Sequence, residues 1–270
     1  MNRFTEDEMK RLWELKAMTV DKCDKCDEGF RDDGSVVSMC ECMKVFRFIK
    51  ELIYAEIPED YWLLDFSKLP IHPSAARLLV SKYLKNLERA STQGKGVCML
   101  GPNGVGKTSA LVEIGKRAIT LDISIVYVVA QDYINYKMQN DLDAVERVES
   151  ASMVLLDELD KPYKKKGSDY VVAQIENLLR SLIPRNRVVC CASNWKVEEL
   201  QDYFGDSVYS VMQRKLKFLT ILGDDKSSGL QDEWENGLDG DVDYMKPHLL
   251  ALAEQREVWK SKHSETQQPS

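Results

Sequence analysis

The sequence has no long apolar run, and this absence argues against an integral membrane protein. A membrane-spanning helix needs about 18 consecutive, mainly apolar residues, and no stretch of the 270-residue chain approaches that length. The first eight residues are also acidic overall and lack the apolar core of a secretory signal peptide. We therefore expect a cytoplasmic protein with no membrane partner.

The sequence also lacks a broad excess of positive charge. Its formal net charge is −7, and eleven acidic residues against five basic ones follow Gly223, which accounts for −6 of that total. The rest of the chain is close to neutral, so we expect no broad basic face, although nucleic-acid binding is not excluded. We expect residues 223–270 to form an acidic, largely disordered tail with room for one short helix over 247–262.

The seven cysteines are not expected to form disulfides, because no export signal precedes them. Four of them form two close pairs, Cys23-x-x-Cys26 and Cys40-x-Cys42, separated by thirteen residues. This spacing is typical of a zinc ribbon, and four thiolates would leave no open coordination position, so the zinc would be structural. The alternative is four unrelated thiols.

A complete phosphate-binding loop stands near the middle of the chain, between an apolar run and a helical pattern. Its glycines let backbone N–H groups turn toward phosphate oxygens at a helix N-terminus. Lys107 would reach the β- and γ-phosphates of ATP, and the Thr108 hydroxyl would hold Mg²⁺. The predicted nucleotide-binding residues of the loop are Gly101, Pro102, Asn103, Gly104, Val105, Gly106, Lys107, Thr108 and Ser109.

Apolar runs and helical patterns alternate from this loop onward, which predicts an α/β domain with a parallel sheet covered by helices. We expect strands over 97–100, 123–129, 153–156, 188–192 and 218–222. We expect helices over 6–18, 41–55, 110–117, most of 132–148, and 168–182, with a further helix starting at Ser74.

Polar residues follow two of these runs where they would face the loop, and an arginine lies just before the last run. Asp157 could hold Mg²⁺ through water, and Glu158 could act as the general base, unless the pair is only an acidic turn. Asn194, after the fourth strand, could orient water at the γ-phosphate. Arg214 could reach a neighbouring subunit's site as an arginine finger, unless it is a surface residue or Lys215 or Lys217 is the relevant cation.

These motifs, in this order and spacing, resemble the bacterial helicase loaders of the DnaC/DnaI family and the related IstB transposition ATPases over about residues 58–222. The stretch Ile57-Pro58-Glu59-Asp60-Tyr61 resembles the lead-in of that family, and the cysteine arm resembles the zinc-containing, helicase-binding region of DnaI-type loaders. The resemblance implies a P-loop AAA+ (ASCE) fold with the lid reduced or absent, and places Asn194 in the role called sensor 1.

The resemblance further implies an ATP switch that loads a replicative helicase onto single-stranded DNA and works as a homo-oligomer in a bacterial cell or phage-infected host. Asp157-Glu158 stands where loaders commonly have Asp-Asp, which leaves the strength of hydrolysis open. The rival interpretations are an IstB-like transposition helper and an ATP-switched binding protein with negligible turnover. The implied division is a zinc-binding partner module over 1–57, an AAA+ domain over 58–222 and the tail over 223–270.

Two segments are candidates for contact with DNA. Tyr133 and Tyr136 could stack on bases and Lys137 could meet phosphate, or the same aromatic residues could simply be packed. A basic loop after the third strand could contact phosphate or be only solvated. It contains Lys161, Lys164, Lys165 and Lys166.

Overall fold

The computed structural model describes residues 5–32, 34, 36–62, 64, 75–164 and 169–221. The described residues divide into two compact units, one from residue 5 to Ala55 and the other from Glu56 to Ile221. The tail expected over 223–270, with its helix, lies outside the described residues. No helix in the described ranges is long and apolar enough to cross a membrane.

The first unit contains two helices and a small hairpin. Helix α1 spans Glu6–Thr19, strands β1 (Phe30–Asp32) and β2 (Val37–Met39) pair antiparallel, and helix α2 spans Glu41–Tyr54. The start of α1 is a capping box, because the Thr5 hydroxyl accepts from the Glu8 N–H and the Glu8 carboxylate accepts from the Thr5 N–H. Helix α1 packs against α2, whose buried face is Val45, Phe48, Ile49, Leu52 and Ile53.

The second unit is a five-stranded parallel sheet with helices around it. Its strands are β3 (Gly96–Leu100), β4 (Ile125–Val129), β5 (Met153–Asp157), β6 (Val188–Ser193) and β7 (Leu216–Thr220). Its α-helices are α3 (Ala75–Lys85), α4 (Leu87–Thr92), α5 (Lys107–Thr120), α6 (Ala130–Gln139), α7 (Leu142–Ser150), α8 (Asp169–Leu182) and α9 (Val197–Lys215). Short 3₁₀ helices cover Glu59–Tyr61, Lys161–Lys164 and Ile183–Arg185.

The strand order is β4-β5-β6-β3-β7, and every neighbouring pair is parallel. All residues of β3, β5 and β6 are buried, as expected for strands covered by helices on both faces. The predicted fold class is therefore confirmed. Because all five strands run the same way, residues that follow them collect at one edge of the sheet, and the loop after β3 lies between β6 and β7 at that edge.

The bounds and number of some elements differ from expectation. Strand β7 begins at Leu216, two residues before its predicted start. The region predicted to be mostly helical over 132–148 contains two helices, with Asn140, whose φ is +55°, between them. Helix α9 was not predicted at all. Its buried residues, Leu200, Phe204, Val208 and Met212, recur every four positions, which is a helical signal, but Gly205 interrupts the segment with a non-helical φ of +62°.

Candidate nucleotide site and cysteine cluster

The phosphate-binding loop connects β3 to α5 with a backbone that requires glycine. Gly101 has φ +149°, and a Cβ atom there would lie 2.2 Å from the carbonyl oxygen of Ile221. Gly106 caps α5 in a left-handed conformation with φ +87°. The helix then begins at Lys107, so the free N–H groups of its first turn open toward the loop, as anion binding requires.

The Lys107 side chain is buried and held inside the loop. Its Nζ donates to the carbonyl oxygens of Gly101 at 2.9 Å and Pro102 at 2.5 Å, and to Asn194 Oδ1 at 2.9 Å. Burial lowers the pKa of this ammonium, and the charges of Asp157 and Asp160 partly oppose that effect. The ammonium therefore lies within the loop, and it joins the loop to the end of β6.

Asp157 ends β5 and is only 3% exposed. The Tyr127 hydroxyl on β4 donates to its Oδ2 at 2.8 Å, and the Glu158 N–H donates to its Oδ1 at 2.8 Å. Burial raises the pKa of Asp157, against hydrogen bonds from Tyr127 and Thr108. The two residues predicted to hold Mg²⁺, Thr108 and Asp157, are thus in contact, and both offer the oxygen ligands that Mg²⁺ prefers.

Glu158 adopts a left-handed backbone conformation, with φ +51°, which is uncommon for a residue with a side chain. Its carboxylate is half-exposed and pairs with Lys161, with 2.7 Å between Oε1 and Nζ. That carboxylate raises the pKa of Lys161. The residue predicted as general base is therefore engaged by the first lysine of the basic loop.

Asn194 follows β6 and lies beside a residue that sequence reasoning missed. Asp160 is 5% exposed, and its carboxylate accepts hydrogen bonds from Ser193 and from both the main chain and side chain of Asn194. Its sequence signal is weak, since it is only a second aspartate three positions after Asp157.

Arg214 lies away from this group. It is exposed in the last turn of α9, immediately before β7. Leu216, at the start of β7, pairs with Gly96 at the start of β3, whereas the loop follows Leu100 at the other end. Lys215 instead stabilises the same end of the sheet, because its Nζ donates to the Gln93 carbonyl oxygen and to Asn186 Oδ1.

The four cysteines of the first unit come together. Their sulfur atoms all lie within 4.8 Å of one another, with 3.9 Å between Cys23 and Cys40 and 3.4 Å between Cys26 and Cys42. Zn–S bonds of about 2.3 Å in a tetrahedron place sulfurs about 3.8 Å apart. Arg31 Nε donates to the Cys40 sulfur at 3.3 Å, an outer contact that would offset thiolate charge. The donor set and spacing fit structural zinc.

The aromatic residues considered for DNA are packed. Tyr133 is 1% exposed and donates to Glu149 Oε1 at 2.9 Å, so its proposed stacking on bases is wrong in this structure. Tyr136 packs partly against the core, and Lys137 pairs with Glu149 at 2.8 Å. In the basic loop, Lys165 and Lys166 lie outside the described residues.

Residues 97–206 match the family model described as "ATPase family associated with various cellular activities (AAA)". The chain therefore contains an AAA domain, and the matched region runs from β3 into α9.

Three solved structures share the fold. The DnaC helicase loader has a TM-score of 0.53 at 19% identity, covering 61% of this chain and 100% of that one. DnaI has a TM-score of 0.50 at 18% identity, covering 63% and 94%. The replication initiator DnaA bound to AMPPCP and single-stranded DNA has a TM-score of 0.50 at 15% identity, covering 76% and 66%. Among curated protein sequences no significant match was found. The resemblance to DnaC and DnaI is thus confirmed for the fold.

Proposed function

We propose that the protein is a Mg²⁺-dependent ATPase that loads a replicative DNA helicase onto single-stranded DNA during bacterial or bacteriophage DNA replication. The observation that supports ATP hydrolysis is the meeting of Lys107, Asp157 and Asn194 at the carboxyl edge of one parallel sheet. The folds of DnaC, DnaI and DnaA support a place in replication.

In this proposal Lys107 exchanges its bonds to the Gly101 and Pro102 carbonyl oxygens for bonds to phosphate oxygens. Thr108 and Asp157 hold Mg²⁺, which when bound neutralises charge on the β- and γ-phosphates. Glu158 accepts a proton from the attacking water. Because Glu158 is paired with Lys161, that ion pair has to open or shift before the carboxylate can face the water.

The partner assignments rest on the division of the chain. We assign the cysteine module of residues 1–57 to contact with the helicase, residues 58–222 to the ATPase and residues 223–270 to an acidic tail. DnaC is a helicase loader and DnaA was solved with single-stranded DNA, which supports the same two partners here. The ATPase is expected to assemble as a homo-oligomer.

Two rival functions share the same core. An IstB-like helper would serve a transposase, and a binding protein switched by ATP would have negligible turnover, although Glu158 argues against the second. The partner recovered with the full chain from a bacterial lysate separates the helicase loader from the transposition helper. A helicase supports the loader, and a transposase contradicts it.

The catalytic assignment predicts different losses for two variants. Lys107→Ala removes the cation at the phosphates and should abolish ATP binding. Glu158→Gln keeps the shape of the side chain but not the base, so ATP binding should persist while turnover falls at least about 100-fold. Nucleotide titration and phosphate release measure the two effects.

Glu146→Gln, at an exposed site on α7, is the matched control and should behave as wild type. Equal turnover of Glu158→Gln and wild type would contradict the assignment of the base.

A further inference from the structure

Asp160 connects two loops at the nucleotide edge of the sheet. The Asn194 N–H donates to Asp160 Oδ1 at 2.8 Å, and the Ser193 hydroxyl donates to the same oxygen at 3.2 Å. Asn194 Nδ2 donates to Asp160 Oδ2 at 3.0 Å. A backbone bond from the Leu159 N–H to the Ala192 carbonyl oxygen, at 3.0 Å, joins the same two segments. Both carboxylate oxygens of this buried aspartate are therefore directed at the end of β6.

These bonds determine how the Asn194 amide is oriented. A lysine ammonium can only donate and an ionised carboxylate can only accept. Because Lys107 Nζ lies 2.9 Å from Oδ1 and Asp160 Oδ2 lies 3.0 Å from Nδ2, the opposite orientation would place donor against donor and acceptor against acceptor. The amide oxygen of Asn194 thus faces the phosphate-binding loop, and its NH₂ group faces Asp160.

We propose that Asp160 is a positioning residue of the ATPase, which acts by holding the Asn194 amide with its oxygen toward the loop. In that orientation Asn194 can accept a hydrogen bond from the attacking water, an action that an amide free to rotate performs only part of the time. The inference rests on the proposed ATP hydrolysis and adds a residue to it. The rival role for Asp160 is purely structural, holding the turn after β5 in place.

A double-mutant cycle between Asp160 and Asn194 separates these roles. We expect Asp160→Asn, which keeps the volume but cannot accept from all three donors, to lower kcat at least about tenfold, and we expect the same of Asn194→Ala. KM for ATP and the affinity for ADP should change less than about threefold. Because Asp160 acts through Asn194, adding Asp160→Asn to Asn194→Ala should lower kcat by less than about twofold more.

A second test variant and a control variant accompany the cycle. Asp160→Glu keeps the charge but moves the carboxylate, and it should also lower kcat, so the test does not depend on the folding of one variant. Asp206→Asn is the matched control, because Asp206 is exposed and accepts one hydrogen bond from Gln201, and its kcat should equal that of wild type. Thermal unfolding and ADP binding establish that each variant is folded.

The cycle can overturn the inference without overturning the ATPase. If the two losses multiply in the double variant, or if Asp160→Asn weakens ADP binding as much as it lowers kcat, Asp160 has only a structural role. If wild type binds ATP but does not hydrolyse it, the proposed function fails. In that case the ratio of the affinities for ATP and ADP is measured in the same variants. The ratio should fall equally in both single variants and no further in the double variant. Additive losses in the double variant would again contradict the inference.

Discussion

At the scale of single residues, Tyr127 makes a buried hydrogen bond to Asp157, the predicted Mg²⁺ ligand on the neighbouring strand. Its hydroxyl donates to Asp157 Oδ2 at 2.8 Å in a buried setting, and burial together with the charge of Asp157 raises its pKa. The phenol therefore stays protonated at neutral pH and remains a donor. Thr108 contacts the same carboxylate, so Tyr127 gives this aspartate a second side-chain hydrogen bond and fixes its position, as outer contacts fix metal ligands.

Tyr127→Phe should weaken the response to Mg²⁺ while leaving nucleotide binding itself intact. Removal of an outer contact of a metal ligand typically costs 10- to 100-fold in metal affinity or activity, so we expect the Mg²⁺ concentration for half-maximal ATPase to rise about tenfold. ATP affinity measured in excess chelator should change less than about threefold.

The control is Tyr209→Phe, because the Tyr209 ring stacks on Phe218 at a centroid distance of 5.6 Å, in an aromatic pair that the substitution preserves. An unchanged Mg²⁺ requirement in Tyr127→Phe would show that the hydrogen bond does not position Asp157.

At the scale of elements, the strands around the site could be predicted because their burial leaves continuous apolar runs. Strands β3, β5 and β6 are buried at every position, and their ends differ from prediction by one residue. The hairpin β1–β2 could not be predicted, because nearly all of its side chains are exposed and no alternation marks it. Helix α9 was missed because Gly205, a poor helix former with a non-helical φ, stands in the middle of its apolar pattern.

The candidate site also contains residues that the sequence could predict and contacts that it could not. The loop residues and Asp157 carry motifs whose residues are neighbours in the chain, so their meeting follows from the parallel sheet alone. Asp160 and Asn194 are 34 positions apart, and Tyr127 and Asp157 are 30 apart. These contacts depend on the strand order and register, which local patterns do not specify.

The cysteine cluster leads to a prediction for the whole first unit. This unit has few buried residues outside α2, so metal closure should supply much of its folding free energy. Cys26→Ser removes one of four thiolates and should reduce bound zinc from about one equivalent to less than about half, with loss of helical signal from residues 5–55. Metal analysis and circular dichroism of the full chain measure both.

Lys25→Ser changes an exposed residue of the same turn and should retain the zinc. Because the second unit has its own core, ATP binding should be equal in the two variants. Full zinc content in Cys26→Ser would contradict the four-cysteine site.

At the scale of the whole molecule, Arg214 is a predicted site residue that lies far from the phosphate-binding loop of its own chain. It precedes β7 at the end of the sheet where Leu216 pairs with Gly96, and a five-residue strand separates that end from the loop by about 16 Å at 3.3 Å per residue. An exposed arginine at that position can serve a nucleotide site only in a neighbouring subunit. The assignment of Arg214 as an arginine finger therefore requires an oligomer.

Mixing two defective variants tests this requirement. Arg214→Ala should bind ATP normally and lose at least about tenfold in turnover under conditions of assembly, with DNA and partner present, whereas Lys107→Ala loses nucleotide binding but keeps its arginine. In a mixed assembly, Lys107→Ala subunits can supply Arg214 to the intact loops of Arg214→Ala subunits, so phosphate release should exceed the sum of the two variants alone. Lys217→Ala, a neighbouring exposed cation on β7, is the control and should need no such rescue. A residue that acts within its own chain gains nothing from mixing. Phosphate release by the mixture no faster than the sum of the two variants would therefore contradict the assignment of Arg214 as an arginine finger.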